Sequence, residues 1–184
     1  MKIKSLVKNI TIVFMLSILA SCNNRIDNIK LVYERFNTEL IFPPSIYPSN
    51  KHSMSTIKEL CHKKIKKTVI LVDGDCGACV GEFMLWNDFK KKNENIFRNC
   101  SLVYIVKTSN ISRFEYISEK AGINFTYYID TLDQYCKFNN INHPALNTIL
   151  VDENNKIKQI GSPVRNRKIE KLYRKFLTEI PIRY

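Results

Sequence analysis

The chain has 184 residues, of which 45% are hydrophobic, with 29 Lys and Arg against 17 Asp and Glu for a net charge of +12. That length and apolar share suit one domain with an ordinary core, and no internal repeat or low-complexity tract is present. The basic residues stand in runs, Lys63-Lys64-Ile65-Lys66-Lys67, Lys90-Lys91-Lys92 and Arg165 to Lys175, without aromatics arranged for base stacking, so no nucleic-acid partner is expected.

At the N-terminus Lys2, Lys4 and Lys8 precede an apolar run from Ile10 to Leu19 that is too short to span a bilayer as a mature helix, the pattern of an export signal. Leu19-Ala20-Ser21-Cys22 closes it and resembles a bacterial lipobox. The resemblance implies that residues 1–21 are a lipoprotein signal peptide and that Cys22 is acylated on its thiol and amine. The plainer alternative is a soluble secreted protein with an ordinary cleavage site. Removing Lys2, Lys4 and Lys8 lowers the charge of +12 by three, and what remains either faces anionic lipid headgroups or, by default, is a solvated surface. The expected location is extracytoplasmic, tethered to a bacterial membrane and facing the periplasm. Asn23-Asn24-Arg25 offers no acidic sorting tract for display on the cell surface.

Residues 22–50 read as an attachment region, with Ile26, Ile29, Tyr33, Phe36 and Leu40 at helical spacing. Pro43-Pro44 and Pro48 then force an extended crossing. A domain over residues 51–184 begins with a short helix, Thr56 to Lys66, carrying Ile57, Leu60, Cys61 and Ile65. From Thr68 an apolar, β-branched run, Val69-Ile70-Leu71-Val72, predicts a strand. Asp73-Gly74-Asp75 predicts a turn, and Cys76-Gly77-Ala78-Cys79 opens an apolar periodic segment, a CxxC at a helix start.

A helix start offers unpaired N–H groups and a partial positive charge, which stabilise a thiolate and favour Cys76 as nucleophile. Cys79 lies one turn on, where it can resolve a mixed disulfide, and Gly77 with Ala78 leaves room for a partner's backbone. Zinc would need two further ligands, and no second CxxC or HxxxH follows, so no metal is assigned. An inert structural disulfide is a second alternative, in a strained place for a staple.

Helix Cys79 to Lys92 ends in lysines that suit its dipole. Leu102 to Val106 is the next strand. Ser109 is placed to cap a helix through Ile111, Phe114, Ile117 and Ala121, with Gly122 as its stop. Phe125 to Ile129 reads as a short strand or extended segment and Thr131 to Phe138 as a helical turn. Leu146 to Val151 and Lys156 to Ile160 flank Glu153-Asn154-Asn155 as a hairpin, and Ile169, Leu172, Tyr173, Phe176, Leu177 and Ile180 stripe a last helix. The alternation predicts an α/β layer fold.

With the CxxC at its strand-to-helix junction, this order resembles the thioredoxin-like fold: a central mixed β-sheet flanked by helices, with a C-terminal β-hairpin and helix. More narrowly, Cys76-Gly77-Ala78-Cys79-Val80-Gly81-Glu82-Phe83 and Leu150-Val151-Asp152-Glu153-Asn154-Asn155-Lys156-Ile157 resemble the extracytoplasmic oxidoreductases of the TlpA and ResA kind. The resemblance implies a thiol-disulfide oxidoreductase with no cofactor, a client protein bearing a disulfide, and an electron donor in the membrane. It implies a cis-proline loop, which His143-Pro144 would supply two residues ahead of the family's position at Leu146. It departs from the family at Asp75, which replaces a common aromatic and is expected to raise the Cys76 pKa, and at Met84, which replaces a common proline.

Glu82 either relays a proton for Cys79 or is an exposed helical glutamate. His143 either stabilises a thiolate or has no task. Trp86 is expected in the core and Cys100 buried, while Cys61, Cys100 and Cys136 are open between a second disulfide and free thiols. The expected chemistry is reduction or exchange of disulfides in exported proteins. The competing class is a binding module that holds a partner, or copper, without turnover.

Overall fold

A computed structural model describes residues 30–49, 56–123 and 125–178. The lipobox, Cys22 and the export signal lie outside the described residues. The chain divides after Phe36. In the first part residues 30–35 are helical, with an exposed Lys30–Glu34 ion pair at 3.8 Å. The helical spacing expected as far as Leu40 stops short, because Phe36 and Asn37 form a turn, with Asn37 at φ 65°, and Leu40 is buried in the second part.

The second part runs β1 (Tyr47–Pro48), α1 (Ile57–His62), β2 (Lys66–Asp73), α2 (Gly77–Lys92), α3 (Glu94–Phe97), β3 (Cys100–Lys107), α4 (Ile111–Lys120), β4 (Tyr128–Asp130), α5 (Gln134–Asn139), a 3₁₀ turn (Pro144–Asn147), β5 (Thr148–Val151), β6 (Ile157–Ile160) and α6 (Arg167–Thr178). The described strands form one mixed sheet in the order β1-β4-β3-β2-β5-β6. β2, β3 and β4 are parallel, with Lys66 opposite Cys100 and Asp73 opposite Lys107. β1 is antiparallel to β4, β5 to β2 and β6 to β5. This is the expected α/β architecture, with its hairpin and closing helix.

β2 is central and covered on both faces, which is why its apolar run does not alternate with polar residues. It begins at Lys66, earlier than Thr68, and α1 stops at His62 instead of reaching Lys66. Thr56 and Glu59 form a capping box that starts α1. Lys67 is fully buried, and its ammonium donates at 3.0 Å to the carbonyls of Lys63 and Ile65 and to Asn155 Oδ1. Three acceptors make that burial tolerable.

One core cluster joins α2 to the sheet, α4 and α6 through Phe83, Trp86, Tyr104, Phe114, Tyr173 and Leu177. Phe83 stacks on Tyr104 with centroids 5.0 Å apart. Each such large side chain contributes about 1.5–3 kcal/mol by leaving water. Helix α2 passes Met84 without interruption and ends at Asn93, whose side chain donates to Phe89 O at 2.8 Å and accepts from Arg174.

Local corrections follow from side-chain chemistry. Asn110, not Ser109, caps α4, accepting from Arg113 N at 3.0 Å. Leu146 sits in the 3₁₀ turn that Pro144 begins, so β5 starts only at Thr148. The helical turn expected from Thr131 is α5, held by Asp130, which accepts from Gln134 N at 3.0 Å and Tyr135 N at 2.8 Å. Cys100 is buried as expected, and Cys76, Cys79, Cys100 and Cys136 are all free thiols.

Residues 37–48, read above as attachment, form a strap across the domain. Asn37 and Leu40 donate to Ile157 O and Asn155 O along β6. Ile41 exchanges backbone hydrogen bonds with the Asn139 amide of α5, Phe42 packs on Tyr135, and Tyr47 then pairs with Ile129 at the other edge. Pro43-Pro44 lies between the two edges, but the crossing is not extended throughout as expected: Pro44 and Ser45 form a turn, closed by Ile46 N donating to Pro43 O at 3.3 Å.

Candidate active site

The site is built at the end of β2. Gly74 N donates to Lys107 O at 2.8 Å, and a Cβ on Gly74 would fall 2.8 Å from side-chain carbons of both Phe114 and Val106. Only glycine lets the chain turn this close to β3 and α4. Asp75 then reaches away from the thiols. It accepts from Thr108 Oγ1 at 2.7 Å, Ser109 Oγ at 2.8 Å and Ser109 N at 3.0 Å. Those bonds, with Ser109 N–H the foremost, hold its carboxyl at about 2, below the ordinary 3.8.

Cys76 is the N-cap of α2, with extended φ and ψ and no side-chain cap of its own, so the first amides of the helix remain available. Its thiol is lowered from the ordinary range, first by a hydrogen bond from the Cys79 thiol and next by the N–H groups of Cys79 and Ala78; desolvation and the charge of Asp73 oppose this. Cys79 is pushed up to about 11 by its hydrogen bond to Cys76, then by burial, then by the charges of Cys76, Asp73 and Glu82. The carboxylate working against Cys76 is therefore Asp73, and not Asp75 as expected. Cys76 and Cys79 are both half-buried, while Gly77 and Ala78 are exposed, with open space at Gly77.

Pro144 divides two hollows. The first, about 350 Å³, is lined by Cys79, Glu82, Pro144, Ala145, Gly161 and Ser162 among others. Glu82 also faces Arg165, at 3.8 Å. The second, about 270 Å³, is lined by Asp73, Lys107, Cys136, Ile141, His143 and Pro144 among others. His143 belongs to this second hollow, with Nδ1 accepting from Ala145 N at 3.1 Å. No peptide bond among the described residues is cis, so His143–Pro144 is trans.

The structure thus brings Cys79, Glu82 and Pro144 around one hollow next to Cys76, and places His143 in the other. Sequence reasoning missed Asp73, Thr108, Ser109 and Arg165 as parts of the site. The Asp-Gly-Asp turn carried two carboxylates, and only the backbone path shows which one faces sulfur.

No protein-family model matches this chain, and no curated protein matches it. Solved structures do. It is similar to a Chlorobium tepidum protein assigned as the thiol:disulfide interchange protein DsbE, with 14% identity over 77% of this chain and 99% of that one and a TM-score of 0.56. It is similar to the thioredoxin domain of the thiol-disulfide oxidoreductase BVU-2223 from Bacteroides vulgatus, with 14% identity, 78% and 98% coverage and a TM-score of 0.53. StoA from Bacillus subtilis matches at 15% identity, 74% and 98% coverage and a TM-score of 0.51. At such identities the likeness is one of backbone, and with the central mixed sheet flanked by helices it shows that the chain has the thioredoxin-like fold.

Proposed function

We propose that this protein is a thiol-disulfide oxidoreductase that reduces or exchanges disulfides of exported proteins. The observation that carries the reading is the split between its two thiols. Cys76 sits at the helix cap by the Ala78 and Cys79 N–H groups with its thiol lowered, and Cys79 is raised to about 11 while donating to it. One sulfur is prepared to attack and the other to hold its proton until the mixed disulfide forms.

In this mechanism the Cys76 thiolate attacks a client sulfur, and the client S–S bond breaks as the second client sulfur leaves and takes a proton. Cys79 then passes its proton to Glu82 in the same hollow and attacks Cys76, breaking the Cys76–client S–S bond, and the departing client sulfur takes a proton. The client leaves as a dithiol and the protein as a Cys76–Cys79 disulfide, two electrons having moved to the client. An electron donor in the membrane restores the dithiol. Pro144 and Ala145 wall the hollow and offer backbone to an extended client segment.

The reducing direction rests on the resemblance to ResA-like proteins, which reduce client disulfides; Asp73 opposes the lowering of Cys76 only weakly. Cleavage before Cys22 and lipid attachment, with the domain facing the periplasm, complete the proposal; a Cys22→Ala variant should leave the membrane fraction. The deciding experiment is a redox titration against glutathione together with turnover of a small-molecule disulfide. A potential near about −270 mV with turnover supports a reductant, and one near about −120 mV makes the protein an oxidant. Stoichiometric Cu(I) uptake without turnover would replace the enzyme with the binding module.

A further inference from the structure

The C-terminal end of α2 carries a concentration of cations without ion-pair partners among the described residues. At the dithiol end the carboxylates of Glu82 and Asp133 are matched by Arg165 at 3.8 Å and Lys107 at 2.8 Å. At the other end, about 24 Å away along the sixteen residues of α2, stand Lys90, Lys91 and Lys92. Two tethers bring α6 to the same end: the Arg174 guanidinium on Asn93, and Lys66 Nζ on Phe176 O at 2.6 Å. This adds Lys171 and Lys175, and Arg98 precedes β3 at that end too.

All six of these cations are exposed, and none forms an ion pair among the described residues. Asp88 and Glu94 oppose them, and Glu170 is taken up by Arg174 at 2.6 Å. Some lysines elsewhere are used internally, Lys107 by Asp133, Lys158 by Asp152 and Lys67 by carbonyls, while others, such as Lys58, Lys120 and Lys168, are exposed as well. Leaving six like charges together without carboxylate partners raises the local potential and invites an anionic surface.

We infer that the face formed by the C-terminal end of α2 and the outer side of α6 docks on anionic phospholipid headgroups, holding the protein with its dithiol end directed away from the bilayer. A planar, laterally mobile array of phosphates suits cations spread over two helices and a turn, with no cavity to define a single ligand. Docking by this end leaves α2's N-terminus, Cys76 and both hollows open to clients.

The test uses the full chain on vesicles of phosphatidylcholine alone or with a third phosphatidylglycerol, mapped by an amine-reactive label and mass spectrometry. Lys90, Lys91, Lys92, Lys171 and Lys175 should be protected on the anionic vesicles only. They should become reactive again near about 1 M salt, where screening shortens to about 3 Å. Cys76 should alkylate equally on both. Charge reversal at Lys90, Lys91 and Lys92 to Glu should weaken the salt-sensitive binding by more than about tenfold, as should a Lys171→Glu, Lys175→Glu pair on the neighbouring helix.

Equal protection on both vesicle types, or loss of Cys76 reactivity on the anionic ones, overturns the inference. So does protection by a nucleic acid or an acidic protein at lower concentration than by vesicles. The N-terminal segment, with Lys2, Lys4 and Lys8, also favours anionic vesicles, and it is told apart by the two sets of charge reversals, which leave it untouched. Disulfide exchange with a soluble substrate is measured separately, so failure of docking and failure of the redox reading are distinguishable.

Discussion

Cys76 at the start of α2 and Cys136 at the start of α5 have opposite chemistry. Cys76 caps α2, whose first amides face its sulfur, and its thiol is lowered. Cys136 is the third residue of α5, yet burial first and then its hydrogen bond to Asp133 push it up to about 12. The amides that could have served it are already committed, since Gln134 N and Tyr135 N both donate to Asp130. Placement in the first turn of a helix does not by itself activate a thiol: burial and a hydrogen bond to a neighbour raise Cys136, as a hydrogen bond and burial raise Cys79, while the cap position serves Cys76.

The largest expected break of this comparison is at Cys76 itself. Cys76→Ala should abolish disulfide exchange, whereas Cys79→Ala should still attack and then accumulate mixed disulfides visible on a non-reducing gel. If Cys79 alkylates first at neutral pH, the assignment of nucleophile and resolving thiol is reversed. Gly74→Ala places a methyl 2.8 Å from Phe114 and Val106, and a cost of about 1–3 kcal/mol is expected in denaturant unfolding, with slower exchange as the turn shifts.

Asp133→Asn sharpens the contrast from the other side. Losing the carboxylate beside Cys136 should lower that thiol and speed its alkylation several-fold, leaving Cys76 unchanged. A subtler readout is acid sensitivity. Asp75 is held at about 2 in the folded chain against an ordinary 3.8, so its contribution is fully present above about pH 4 and lost as pH falls towards 2. The stability gap between the wild type and Asp75→Ala should close over that window. The smallest effect is expected from Glu82→Gln, which removes a charge that raises Cys79 and should slow resolution while sparing the first attack.

Much of this was legible in the residues. The β-branched run before the CxxC, the Glu153-Asn154-Asn155 turn and the stripe on the last helix each predict an element that is present, because local pattern and tertiary burial agree there. Ser109 shows where legibility ends. It is a good capping residue, but the adjacent Asn110 takes the cap while Ser109 is drawn to Asp75, thirty-four positions earlier in the chain. Asp73 and Asp75 likewise have the same side chain two positions apart, and only the path of the turn assigns one to sulfur and the other to hydroxyls. Lys67 reads as one of a solvated run, and its burial depends on carbonyls exposed by the end of α1. At the candidate site the dithiol was visible from spacing, whereas the electrostatics came from contacts distant in sequence.

The strap over residues 37–48 joins the β6 side of the sheet to the β4 side with a single covalent stretch. An uncovered strand edge is a template for pairing with another chain, and here the same dozen residues cover β4 and hold the start of β6 at Ile157. Protection against self-association is thus one event, not two. A protease cut near Pro43-Pro44 would free both ends of the strap, and the nicked protein should then be lost to aggregation as a whole instead of fraying from one side.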